Sequence, residues 1–111
     1  MDLYRQLETL IEQLNVTIKS LRHTGSDYAE AERNYRMLLS EEILRMEAEE
    51  RPVTNLYNIA RGRKAVADAK YQQIAKEAIY RANLEAVQSI KLQIKICQAQ
   101  IDKEYGADLS D

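Results

Sequence analysis

The chain has 111 residues, a net charge of −2, no Trp or Phe, three Gly, one Pro and one Cys. That length supports one modest core, the near-neutral balance gives no overall pull toward nucleic acid or anionic membranes, and a lone cysteine excludes an intrachain disulfide. Scarce turn formers, sparse Val and Thr and the lack of an alternating apolar run of strand length favour a few long helices over a sheet.

Residues 2–22 come first. Leu3, Leu7, Leu10, Leu14, Thr17 and Leu21 alternate spacings of four and three, a heptad seam that Ile11 and Ile18 widen on one flank. Asp2 supplies a side chain able to cap the helix start. At His23-Thr24-Gly25-Ser26-Asp27 a break signal appears, because glycine inside a helix costs about 1 kcal/mol. The stripe then resumes with Tyr28, Tyr35, Leu39, Ile43 and Met46. Tyr28 follows Leu21 by seven residues, so the seam keeps its phase across the break. Two readings stay open: a turn that separates helices 2–22 and 27–50, or one kinked helix. Glu32 with Arg36, and Glu41 with Arg45, stand four apart with the acid first, the stabilising order on an exposed face.

Arg51-Pro52-Val53-Thr54 should stop the first half, since proline disfavours helix at the residue before it. Thr54 can cap a short helix over 54–61, with Gly62 as a left-handed C-terminal cap. Residues 63–105 then contain no Gly or Pro and predict one helix of roughly 60 Å at about 1.5 Å per residue. Val66, Ala67, Tyr71, Ile74, Ala75, Ala78, Ala82 and Ala86 are the expected core line of its first half. Val87, Ile90, Ile94, Cys97 and Ile101 continue it, and Gly106 should end the helix before a frayed tail. In that line Cys97 reads as a small buried apolar group rather than a reactive thiol.

The pattern predicts an all-α fold, a long antiparallel helical hairpin or three-helix bundle with coiled-coil-like packing and a short capping helix, in a single domain. Charge supports the antiparallel pairing. Residues 1–50 hold six Lys/Arg against eleven Asp/Glu, and residues 51–111 hold ten against seven. Two helices alone leave apolar faces over, so a homodimer is expected.

Catalytic chemistry finds little footing. His23 is the sole histidine and reads as a surface or helix-end residue, no Glu-x-x-His pair is present, and no glycine-rich loop could cradle a phosphate. The acidic run Glu41, Glu42, Glu47, Glu49 and Glu50 reads as a solvated face. No catalytic residue, metal site or cofactor is therefore assigned. The most suggestive cluster is Arg51 with Arg61, Arg63 and Lys64, a basic tip that could contact an anion or a partner. Residues 51–95 carry nine Lys/Arg against three Asp/Glu, with Tyr57, Tyr71 and Tyr80 interleaved. The competing reading pairs these cations with the acidic first half. No run of 18 apolar residues occurs and Met1-Asp2-Leu3-Tyr4 lacks the basic start of a signal peptide, so a soluble cytoplasmic protein without membrane contact is expected.

At Tyr28-Ala29-Glu30-Ala31-Glu32, Tyr35-Arg36, Pro52-Val53-Thr54, Ala60-Arg61-Gly62 and Val66-Ala67 the chain resembles small helical proteins, most of them uncharacterised, encoded by phages and prophages of Gram-positive bacteria. The resemblance spans nearly the whole chain, apart from Arg51 where glycine is the expected residue. It implies a phage protein in the host cytoplasm. In that setting the expected function is that of a non-enzymatic interaction protein that binds a host or phage protein through a helical face or the basic tip, modulating host defence or DNA metabolism. The alternative is a nucleic-acid-binding accessory of phage replication or recombination.

Overall fold

The computed structural model describes residues 2–50 and 53–109. The fold is all-α, a helical hairpin of two long helices closed by a short one. Helix α1 is Leu3–Ala48, a 3-10 turn covers Val53–Asn55, α2 is Leu56–Gly62 and α3 is Lys64–Leu109. The chain divides into two compact units: residues 1–23 with 81–111, and residues 24–80.

Helix α1 starts where the sequence places it. The Asp2 carboxylate accepts a hydrogen bond from the Tyr4 backbone N–H at 3.1 Å, and the Asp2 carbonyl accepts from Gln6 N–H at 3.0 Å. No turn interrupts it at Gly25. The helix is continuous through residues 23–27, so separate helices 2–22 and 27–50 are replaced by one. The reason lies opposite: a Cβ on Gly25 would stand 3.1 Å from Cε1 of Tyr80, whose ring also packs on Tyr28 with centroids 6.0 Å apart. Gly25 clears space for a ring instead of breaking the chain.

In the unit formed by residues 1–23 and 81–111, Leu10, Cys97 and Ile101 are buried, with Leu3, Leu7 and Ile94 packed around them. The Cys97 thiol donates to the Leu3 carbonyl at 3.4 Å and Asn83 Nδ2 donates to the Thr17 carbonyl at 3.2 Å. These contacts set the two helices antiparallel in this unit. In residues 24–80 one cluster joins Tyr35 to Val66 and Ala69, and another joins Met46 to Leu56 and Ala60. Helix α2 thus lays its buried side, Leu56 and Ala60, over Met46, which is wholly shielded from solvent.

The first half of α3 departs from expectation. Its inward line is Val66, Ala69, Gln73, Lys76, Tyr80 and Asn83, all buried or half-buried, leading into Val87, Ile90, Ile94, Cys97 and Ile101. Ala67, Tyr71, Ile74, Ala78, Ala82 and Ala86 are exposed. The cause is period. The inward residues keep a strict three-four alternation, the 3.5-residue repeat of a supercoiled pair, whereas the alanine row steps mostly by four and rotates off the seam.

The helix ends differ too. Ala48 ends α1 and Glu50 takes the left-handed conformation at φ 57°, one residue before the expected stop. Gly62 is the last residue of α2 and has no positive φ. Arg63, extended at φ −64° and ψ 140°, both terminates α2 and opens α3. Its N–H donates to the Ala60 carbonyl at 3.2 Å and its own carbonyl accepts from Ala67 at 2.8 Å. Asn55 rather than Thr54 precedes α2 and makes no side-chain cap. Gly106 lies within α3 and does not end it.

Candidate functional site

Of the four cations expected at the tip, Arg51 lies outside the described residues. The other three, Arg61 near the end of α2, Arg63 as the one-residue link and Lys64 at the start of α3, part company. Arg63 Nε lies 3.1 Å from Glu42 Oε1, an ion pair joining α1 to the start of α3 whose N–H is not aligned as a hydrogen bond. The Glu42 carboxylate is only 14% exposed and also takes Arg45. Arg45 therefore pairs with Glu42 and Glu49, not with Glu41. Arg36 does pair with Glu32, at 2.8 Å.

Lys64 reaches Asp68, one turn along α3, at 2.6 Å. The hydrogen bond that Lys64 Nζ donates to Asp68, and the negative charge of that carboxylate, hold the Lys64 ammonium above the ordinary lysine pKa. Hydrogen bonding to Glu42, and its charge, raise Arg45 in the same way. The Lys64–Asp68 pair is exposed, so it fixes a side-chain direction more than it stabilises the fold. Two of the tip cations are thus tied to acids within residues 24–80, one of them on the acidic first half.

Arg61 behaves differently. Its guanidinium lies over the Tyr57 ring, 5.5 Å from the centroid, and it borders an open cleft of about 310 Å³ with Tyr35, Asn58, Gly62, Ala67 and Lys70. Lys70 Nζ sits 4.8 Å over the Tyr35 ring and donates to Gln73 Oε1 at 3.0 Å. The cleft therefore gathers two cations, an amide and a phenol with no carboxylate in its lining. Stacked on aromatic faces, both cations keep donors for an anion. The sequence missed Lys70 and Asn58. The signal was present in spacing, since Lys70 stands two turns after Arg63 and Tyr35 lies on the α1 seam that faces it.

Large apolar side chains also stand outside the seam. Tyr71 is 69% and Ile74 55% exposed on the outer row of α3. Within the other unit Ile11 and Ile18 on α1 are 43% and 41% exposed, and Tyr4 packs on Tyr105 with ring centroids 5.4 Å apart.

Among the described residues no three His, Cys, Asp or Glu side chains come together as a metal set, and no helix is long and apolar enough to cross a membrane. His23 is exposed on the unbroken α1. Comparison with protein-family models, curated proteins and solved structures finds no match to this chain.

Proposed function

We propose that this chain is a non-enzymatic interaction protein of the phage type, working as a homodimer in the host cytoplasm and docking a helical face onto a host or phage protein. The observation that supports it is the outer row of α3 in residues 24–80, where Tyr71 and Ile74 stand 69% and 55% exposed beside the small Ala67 and Ala78. An exposed aromatic beside a β-branched residue on a rigid helix offers area at low entropic cost, the pattern of a helix-in-groove contact. Tagged protein is used to capture partners from nuclease-treated host lysate. A single protein retained by the wild type and lost by Tyr71→Glu and Ile74→Glu supports the reading; retention by both variants removes this face from it.

A second reading, a nucleic-acid-binding accessory, is favoured by the Arg61 and Lys70 cleft alone. Here the effective variants are Arg61→Glu and Lys70→Glu, because Arg63 and Lys64 are held by Glu42 and Asp68. Binding of a labelled single strand that weakens steeply with salt and disappears in both variants supports it. Unchanged binding in either variant refutes the cleft as the site.

A further inference from the structure

Helix α1 carries a second heptad face besides its buried seam. Tyr4, Glu8, Ile11, Asn15, Ile18 and Arg22 follow one another at spacings of four, three, four, three and four, and all six are exposed. At about 100° per residue they fall within one arc, centred about 100° round the helix from the seam of Leu3, Leu7, Leu10, Leu14, Thr17 and Leu21. A two-stranded hairpin uses one seam per helix. A square four-helix bundle uses two, close to a right angle apart, and asks for the wide apolar stripe found here.

We propose that this face is covered by a second copy of the same chain, antiparallel to the first, with the two-fold axis at Asn15. The inference rests on the homodimer reading above and names its surface and direction. Charge decides the occupant and its orientation. About Asn15, residue 8 of one copy lies opposite residue 22 of the other, so Glu8 meets Arg22 twice. Ile11 and Ile18 of opposite copies come one position from direct register and pack side by side twice, and on the flank Glu12 approaches Lys19. A parallel pair would instead set Glu8 on Glu8 and Arg22 on Arg22.

Asn15 suits the axis because its amide carries both donor and acceptor and can bond to its own copy across a two-fold, where a lysine or glutamate would repel itself. A polar residue amid isoleucines also fixes register at some loss of affinity. With two isoleucines and one tyrosine per helix as its apolar content, the face makes a dimer that depends on protein concentration. Tyr105, whose ring packs tilted against Tyr4, extends its border onto α3.

The test is sedimentation velocity on the full chain across a concentration series, with circular dichroism confirming that each variant stays helical. Glu8→Arg alone and Arg22→Glu alone each replace two attractions by two repulsions and should raise the dimer dissociation constant about tenfold or more. The Glu8→Arg/Arg22→Glu double variant restores both pairs and the wild-type affinity. An equimolar mixture of the two single variants associates more tightly than either alone, because each heterodimer then has complementary charges at both ends. A dimer indifferent to the single swaps, or a mixture without recovery, overturns this surface while leaving the dimer standing. A wild-type chain that stays monomeric throughout overturns both.

Discussion

Gly25 and Tyr80 provide a direct measure of what holds α1 continuous. Glycine in a helix interior is destabilising by about 1 kcal/mol relative to alanine, so Gly25→Ala on a bare helix should stabilise by that amount. Here the added methyl meets Cε1 of Tyr80 at 3.1 Å and Cδ1 at 3.5 Å, closer than ordinary van der Waals contact at the first atom. The ring must give by a few tenths of an ångström while staying on Tyr28, which opposes the gain in propensity. Removing the ring with Tyr80→Ala leaves the propensity effect alone. Gly25→Ala is therefore expected to be nearly neutral in the wild type and stabilising by about 1 kcal/mol in Tyr80→Ala, a coupling of about 1 kcal/mol. For a chain of this length that corresponds to about 4 °C in Tm. Urea and thermal denaturation followed at 222 nm, at one fixed protein concentration, read all four proteins of the cycle. Equal stabilisation by Gly25→Ala in both backgrounds would show that the ring does not constrain the site, and the account of why glycine stands there would be wrong.

Three further outcomes are expected. Met46→Ala empties a fully shielded site between α1 and α2 and should lower stability by about 2–5 kcal/mol in urea unfolding. Glu50→Gly relieves a left-handed non-glycine residue on an exposed turn and should raise stability by about 0.5–1 kcal/mol, with an unchanged denaturant slope. Cys97, 2% exposed and bonded to the Leu3 carbonyl, should react with an aromatic disulfide reagent only as fast as residues 1–23 and 81–111 open. Reaction at the rate of a free thiol would contradict its burial.

The helices were legible because long-range patterning is written in residue type. The Leu3 to Leu21 alternation and the Val87 to Ile101 alternation both became inward seams of buried and half-buried residues as read. The error in residues 67–86 has a physical source. Two rows competed there, one apolar and stepping by four, one partly polar and stepping by 3.5, and only the partner helix decides which faces inward. Gln73, Lys76 and Asn83 do not look like seam residues, yet Asn83 spends its amide on a carbonyl of α1. Glycine was misjudged for a related reason. Its permissiveness predicts a left-handed cap at Gly62 and a helix end at Gly106, but the left-handed residue among those described is Glu50, and Gly25 serves sterics rather than backbone freedom. For the tip, sequence position brought Arg61, Arg63 and Lys64 together, whereas their side chains diverge to Tyr57, Glu42 and Asp68.

The two compact units also impose an order on the birth of the protein. Residues 24–80 form an unbroken stretch of chain, so their contacts close over short loops as soon as that stretch has left the ribosome. The other unit joins residues 1–23 to residues 81–111, and the bond from Cys97 to Leu3 spans 94 positions. Until residues 81–101 have been synthesised, Leu3, Leu7 and Leu10 lack Ile94, Cys97 and Ile101 to lie on, and the nascent chain carries their apolar face uncovered. The interval in which this protein is most open to aggregation or to a chaperone is thus set by the time needed to translate residues 81–101.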